Sequence, residues 1–332
     1  MSEQKRKRIL SGMQPSGKLH LGNYFGALKN WVDLQDDFEC FFFIADWHAL
    51  SSLYEDPRRI KEFSFEMAVD WLSAGLDPEK CTLFLQSEIP EHAELHLILS
   101  MMVPVPWLER NPTYKEKQDE IKKVDMSTYG FLGYPVLQTA DIVLYRADFV
   151  PVGIDQAPHL ELSREIVRRF HHLYKKNVFI EPGAKISDIP KLNGLDGRKM
   201  SKSYDNAIFL SDNEKEVGKK VKQMLTDPAR ARREEPGDPE VCNLFPFHKI
   251  YSPPPMQEEV ADGCRTAKIG CGDCKNMLTQ TMLESMRPIM ERRSEISNKP
   301  KEVEEIIAAG TKKARLVATS TLDRVKKSMK LK

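Results

Sequence analysis

The stretch Ile9-Leu10-Ser11-Gly12-Met13-Gln14-Pro15-Ser16-Gly17-Lys18-Leu19-His20-Leu21-Gly22-Asn23 decides the fold. Ile9 to Met13 reads as a strand, Gln14 to Gly17 as a turn, and a helix is expected from near His20 to about Gln35. The same rhythm continues downstream. Cys40-Phe41-Phe42-Phe43-Ile44-Ala45 is a continuously apolar second strand, as in a parallel sheet covered on both faces. Pro57 to Ala74 has helical periodicity, with Ile60, Phe63, Met67 and Trp71 three or four residues apart. Thr82 to Gln86 reads as a third strand, Phe149 to Val152 as a later one, and Gln156 to Tyr174 as a helix. This alternation predicts an α/β, Rossmann-like, doubly wound parallel sheet.

After Ser203 the rhythm stops. Segments 212–226, 275–293, 301–309 and 311–330 all read as helices. The shift predicts a first domain over 1–205 and an all-α C-terminal domain over 206–332. Residues 90–135, with Pro104, Pro106, Pro112 and a charged stretch from Lys115 to Lys123, read as an insertion into the first.

The chain has 332 residues, 41% hydrophobic and 30% charged, the composition of a globular protein with a sizeable core. No apolar run reaches the roughly eighteen residues needed to span a bilayer. No secretory signal is read at the N-terminus, so the cytoplasm is the expected location. Net charge is only +1, but Lys312 to Lys332 holds eight basic residues and one acidic one, Asp323. Arg230, Arg232 and Arg233 form a second basic cluster. Both are solvated faces on the bland reading and phosphate-binding patches for nucleic acid on the sharper one.

Two segments point to a nucleotide. Lys18-Leu19-His20-Leu21-Gly22-Asn23 opens a helix, whose first N–H groups and partial positive charge suit a phosphate. His20 can donate to a phosphate oxygen, and Gly22 lets a base or ribose approach the backbone. About 180 residues later, Lys199-Met200-Ser201-Lys202-Ser203 places two lysines three apart in a loop. Alone, such a loop is ordinarily solvated; paired with the first segment it predicts a polyphosphate site. Neither a Gly-x-Gly-x-x-Gly fingerprint after the first strand nor a Walker lysine motif is present, which argues against a dehydrogenase or a P-loop ATPase.

Here the chain resembles the class I aminoacyl-tRNA synthetases. His20-Leu21-Gly22-Asn23 is similar to their first signature, and Lys199-Met200-Ser201-Lys202-Ser203 matches the second letter for letter. Ser11 to Gly17, Tyr134-Pro135-Val136-Leu137-Gln138-Thr139-Ala140-Asp141 and Pro151-Val152-Gly153-Ile154-Asp155-Gln156 resemble the tryptophanyl-tRNA synthetase family. The resemblance implies activation of L-tryptophan by ATP and transfer to tRNA(Trp), in a homodimer with the insertion near its interface. It places ATP against Gln14, Pro15, Ser16, Gly17, His20, Gly22, Asn23, Gly153, Ile154, Asp155, Ile189 and Lys199, Met200, Ser201, Lys202, Ser203. It places tryptophan against Tyr134, Gln138, Asp141, Gln156 and His48, with Asp141 accepting from the indole N–H. A structural histidine is the alternative for His48. Lys199 and Lys202, with Mg²⁺, would stabilise the leaving pyrophosphate, and Lys115 and Lys117 resemble a second lysine pair; a solvated charged helix is their alternative. Gln138 stands where many relatives have Met, and Ile154 where Glu is usual. A tyrosine-specific synthetase and a catalytically silent RNA-binding or redox-sensing paralogue are the competing readings.

Four of the six cysteines, Cys242, Cys264, Cys271 and Cys274, lie within 33 residues at intervals of 21, six and two. Clustered thiols in a cytosolic chain favour a metal over disulfides. One short Cys-x-x-Cys pair with two outlying ligands fits a [4Fe–4S] cluster at least as well as Zn²⁺. The resemblance implies the cluster, since some bacterial members of the family carry one with nearly this spacing. Cys40 and Cys81, in apolar strands, are expected to be inert core thiols.

Overall fold

The computed structural model describes residues 6–110, 127–153, 157–186 and 192–332, with the backbone alone at 157–159. Lys115, Lys117, Ile154, Asp155, Gln156 and Ile189 therefore lie outside the described residues.

Five strands form one parallel sheet: β1 (Arg8–Met13), β2 (Glu39–Ile44), β3 (Cys81–Leu85), β4 (Phe149–Val152) and β5 (Gly183–Ile186). Their order is β3-β2-β1-β4-β5. Ile9 pairs with Cys40 on one side and Phe149 on the other, and Cys40 with Cys81 in turn. The chain winds outward from β1 to β3, then crosses to β4 on the opposite side. The order therefore reverses between β1 and β4, and a crevice opens beyond their C-terminal ends, where such sheets bind ligands.

Apolar residues on both pleats put a core on each face. One side packs Ile9, Phe42, Ile44 and Leu83 against Trp31, Met67 and Trp71; the other packs Leu10, Phe41, Phe43 and Phe84 against Leu95, Leu99, Ile166 and Phe170. The first helical segment begins as α1 (Leu21–Asn23), widens into a π-helical turn over Tyr24–Leu28, and continues as α2 (Lys29–Leu34). Then come α3 (Asp46–Leu53), α4 (Ile60–Ala74), α5 (Glu91–Ser100), α6 (Val105–Glu109), α7 (Tyr129–Leu144) and α8 (Ala157–Tyr174). The C-terminal region holds α9 (Glu214–Gln223), α10 (Phe245–Tyr251), α11 (Pro254–Arg265), α12 (Cys271–Ser297) and α13 (Pro300–Ser328). Among the described residues no helix is long and apolar enough to cross a membrane.

Three features depart from the sequence reading. Residues 301–309 and 311–330 are one helix, α13, not two. Gly310, a poor helix former, suggests a break, but a Cβ there would stand 1.9 Å from the Leu83 carbonyl oxygen. The helix passes so close to β3 that only a hydrogen fits. Secondly, β5 carries no apolar alternation, as suits a four-residue strand at the sheet edge. Thirdly, α10 and α11 lie in a stretch where the sequence reading names no helix, and their prolines occupy the first helical turn, where no N–H is needed.

Candidate functional site

The C-terminal ends of β1 and β4 open into a cavity of about 360 Å³. Ser11, Gly12 and Gln14 come from the end of β1, and Val152 and Gly153 from the end of β4. Gly26 and Ala27 enter from the π-helical turn, a local widening that often marks a functional position. Tyr134, Gln138, Asp141 and Ile142 enter from α7, where their spacing of four, three and one puts them on one face. His48, on α3, completes the wall. Of the residues expected around tryptophan, Tyr134, Gln138, Asp141 and His48 are thus brought together.

Asp141 lies at the wall of this cavity with 1% of its surface exposed. Its Oδ2 accepts from His48 Nε2 at 2.8 Å and its Oδ1 from His92 Nδ1 at 2.6 Å. Gln86 Nε2 reaches both oxygens, at 2.9 and 3.0 Å. Burial works against the charge, but the His48 and His92 bonds overcome it and hold the carboxyl down at about 2. It is therefore ionised at neutral pH. A carboxylate accepts about four hydrogen bonds, and two of the four here come from the single Gln86 Nε2, so a donor from the cavity would take the place of one of them. His92 is itself positioned: a neutral ring giving its Nδ1 proton to Asp141 must accept at Nε2, where the Tyr145 hydroxyl stands at 2.8 Å. Burial and the Asp141 charge keep Tyr145 protonated.

Gln86, His92 and Tyr145 were not singled out from the sequence. Gln86 follows the C-terminal end of β3, a position from which polar residues reach crevice ligands, and that signal was available. Tyr145 follows Asp141 by one helical turn. His92 carries no signal of its own.

The second group lies along the turn that follows β1. His20 caps α1: its Nδ1 accepts from the Asn23 N–H at 3.3 Å, and Asn23 Oδ1 accepts from the His20 N–H at 3.1 Å. Burial, then the charge of Lys202, lowers the His20 ring to about 4. The ring is neutral with its proton on Nε2, a donor and not a cation. Gly22 sits between the two signatures, for a Cβ there would be 2.9 Å from His20 Nδ1 and 3.8 Å from Met200 Cβ. Pro15 and Gly17 are buried in the turn, while Ser16 is exposed. Lys202 Nζ donates to Ser16 Oγ at 3.4 Å. The Lys202 stem passes Gly17, which takes φ +129°. Burial lowers Lys202 to about 8, against the pull of Asp70.

Backbone bonds lock this segment to the lysine loop's far end. Leu21 N donates to Ile208 O and Leu210 N to Leu19 O, both at 2.9 Å. Buried Asn206 holds the loop itself. It accepts from Ser201 N at 2.8 Å and donates to Asp196 Oδ1 at 2.7 Å and Lys199 O at 3.2 Å. Met200 is buried in the core, whereas Lys199 and Ser203 are exposed. Asn206 thus pins the loop, leaving Lys199 exposed and Lys202 half-buried against Ser16 and Gly17.

The four clustered cysteines lie in the C-terminal region, at α11, at the start of α12, and before α10. Cys274 is pushed up to about 12 by burial first, then by Cys242, Cys264 and Cys271. Its Sγ is 3.3 Å from His248 Nε2. Arg230 NH1 approaches Cys264 Sγ at 3.9 Å. The thiols therefore gather, yet among the described residues no three or more His, Cys, Asp or Glu side chains are placed to hold a metal ion. Cys40 and Cys81 are buried neighbours in β2 and β3, both pushed up to about 12 by burial, which makes them inert thiols.

The basic clusters are partly structural. Arg230 is buried and donates to the carbonyls of Arg233 and Ile269, at 2.7 and 2.8 Å. Arg233 pairs with Asp273. Arg315 and Lys326 of α13 pair with Glu91 and Glu94 of α5. Lys312 and Lys313 are exposed.

Comparison with known proteins agrees with this geometry. Residues 2–287 match the family described as tRNA synthetases class I (W and Y). The chain is 51% identical to the tryptophan–tRNA ligase of Thermotoga maritima, covering 98% of this chain and 99% of that one. It is 42% identical to the tryptophan–tRNA ligase of Aquifex aeolicus, covering 98% and 100%. Its fold superposes on the crystal structure of Campylobacter jejuni tryptophanyl-tRNA synthetase complexed with ADP and tryptophan with a TM-score of 0.88, at 36% identity, covering 97% and 99%.

Proposed function

The chain belongs to the class I tRNA synthetases of the tryptophan and tyrosine type, and we propose that its cavity and lysine loop act together to form tryptophanyl-adenylate. It is a tryptophan–tRNA ligase: it activates L-tryptophan with ATP and transfers it to tRNA. The observation that carries the choice of amino acid is the buried, ionised Asp141 in the wall of the cavity. Indole has one polar atom, a donor, on an apolar body. A site built around one such bond discriminates strongly against side chains that leave its buried group unpaired.

The tryptophan carboxylate attacks the α-phosphorus of ATP and pyrophosphate leaves. The terminal ribose hydroxyl of tRNA then attacks the carbonyl carbon of the adenylate, and AMP leaves. No protein nucleophile is needed, so the chain's work is positioning and charge stabilisation. Neutral His20 donates to a phosphate oxygen, and Lys199 and Lys202 take up the pyrophosphate charge. Gln14 and Gly153 line the cavity where tryptophan and the ribose would meet. Mg²⁺, when bound with ATP, adds positive charge at the phosphates. Residues 1–205 supply the catalytic unit, and 206–332 the surface that reads the tRNA anticodon.

Leu97, Met101, Val105 and Tyr129 are exposed large apolar side chains on α5, just after it, on α6 and at the start of α7. They support a homodimer that covers this face. Four cysteines within 33 residues of sequence suit a soft metal. We assign Cys242, Cys264, Cys271 and Cys274 to a [4Fe–4S] cluster, which would tie α11 and α12 together. Anaerobically purified protein should be brown and contain four irons per chain; colourless protein with one zinc would replace that assignment.

ATP–pyrophosphate exchange tests the function itself. Exchange is expected with tryptophan and not with tyrosine or without amino acid. Exchange with tyrosine at a comparable rate would overturn the role given to Asp141.

A further inference from the structure

A second cavity, of about 510 Å³, opens at the end of the sheet opposite the crevice. It lies where β1 begins, about 17 Å of strand away from the turn that follows β1. Arg6 and Lys7 enter it from ahead of β1, Arg146 from the turn after α7, and Arg324 from α13. The basic last helix and the basic residues ahead of β1 thus meet in one concave space, away from the chemistry described so far.

Two carboxylates also line this cavity, and Arg8 engages both. Glu39 Oε2 accepts from Arg8 Nε at 3.1 Å and from NH2 at 2.9 Å, and Asp148 Oδ2 accepts from the Arg8 N–H at 2.7 Å. Lys7 Nζ stands 5.1 Å from the centre of the Phe149 ring. Arg6, Arg146 and Arg324 have no carboxylate partner among the described residues. Like charges that share a cavity repel, and an anion between them removes that cost.

Arg146 is held there against local preference. It follows the last residue of the α7 cap with φ +53°, and its N–H donates to the Val143 carbonyl at 3.1 Å. Glycine or asparagine is the ordinary residue at such a helix end. The Arg146 Nε is buried with no hydrogen-bond partner among the described residues. A left-handed backbone and an unpaired buried donor are both unfavourable, and their coincidence in one residue marks a role toward a ligand.

Ile180, Leu316 and Val317 give the same cavity an apolar wall, of which Leu316 is 71% exposed. Guanidiniums present a fork that matches phosphate oxygens, and an apolar wall suits a flat ring. The volume is that of a small-molecule site. A nucleic-acid backbone would meet the exposed cations at the rim, but would leave the buried Arg146 Nε unpaired and the apolar wall unused. We propose that this cavity is a second ligand site, separate from the site of adenylate formation, that binds a nucleoside phosphate: the phosphate on Arg6, Arg146 and Arg324, the base against Leu316 and Val317.

The test is equilibrium dialysis of radiolabelled ADP and GDP against the full-length enzyme, its active site first saturated with the unreactive sulfamoyl analogue of tryptophanyl-adenylate. One nucleotide should bind per chain, and adenosine and guanosine should bind at least tenfold more weakly, as loss of charged hydrogen bonds requires. Arg146→Asn and Arg324→Gln should each weaken the nucleotide at least tenfold, with ATP–pyrophosphate exchange unchanged. Arg146→Asn should melt no lower than wild type, because asparagine tolerates that backbone. Should it nonetheless fail to fold, Arg324→Gln, on an exposed helix position, carries the test. Binding of neither nucleotide to the wild type, equal binding of nucleosides, or wild-type affinity in the folded variants would sink the proposal. So would a raised KM for tRNA in Arg146→Asn with no nucleotide bound by the wild type, since the phosphate would then be that of RNA.

Discussion

The Asp141 carboxylate is ionised and buried, a combination that costs free energy unless donors surround it. His48, His92 and Gln86 meet that need from three separate elements. Because the folded carboxyl titrates near 2 against an ordinary 3.8, the unfolded chain takes up a proton first as pH falls. The stability this group contributes is complete above about pH 4 and is lost between there and about pH 2. Asp141→Asn should flatten that part of the curve, measured by urea denaturation at stepped pH, and raise the KM for tryptophan at least tenfold. At the other signature, Lys202→Ala should slow adenylate formation at least tenfold with tryptophan binding intact, since it removes charge needed only as pyrophosphate leaves. In the wild-type enzyme, exchange should decline as pH rises through about 8, where burial has placed the Lys202 titration, well below an ordinary lysine. An exchange rate that is flat to pH 9.5 would contradict this. Of these groups, the lysines and His20 were legible in the sequence because their motif is local. Gln86 and His92 were not, because their meaning comes from an acid 55 and 49 residues away.

Helix α13 follows a different logic from its own composition. Its first part packs Val303 on one face of the sheet, and Ala314, Ala318, Leu322 and Val325 pack on the other. Between them it crosses the β3 edge, where Gly310 meets the Leu83 backbone and Thr311 Oγ1 accepts from Leu85 N at 3.3 Å. The helix so caps an edge strand that would otherwise offer unpaired backbone groups. Glycine normally weakens a helix, but here contact energy over many residues outweighs that local cost. Gly310→Ala should therefore destabilise the protein, contrary to helix propensity, by about 1–3 kcal/mol as overpacking does. Thermal melts of the two proteins would show it, and a stabilised variant would refute the close approach. A similar conflict explains α10 and α11, whose prolines end helices in most contexts and begin them here. The strand β2 involved no such conflict, since its continuous apolar run and a parallel sheet buried on both faces agree.

At the scale of the whole molecule, the exposed apolar side chains of α5 and α6 bear on assembly. Met101 is 76% exposed and Leu97 54%. On the proposed homodimer, a Leu97→Glu, Met101→Asp variant should sediment as a monomer where the wild type sediments as a dimer, while its melting point at high dilution changes little. A wild-type monomer at micromolar concentration would exclude that face as the interface. The last helix also closes over the sheet: α13 packs on β3 and joins α5 through Arg315–Glu91 and Lys326–Glu94. The amino-acid sequence by itself determined the α/β class, the crevice-forming first strand and turn, and the two phosphate-directed signatures. These depend on side-chain periodicity and on residues within one loop, which short-range order encodes. Only the tertiary structure decided how the reversal of strand order at β1 joins the ends of β1 and β4 in one cavity, which donors fill Asp141, and that Arg293 reaches Asp70 from 223 residues away. Those contacts depend on how faces buried against the sheet bring distant segments together, and no local pattern specifies such partners.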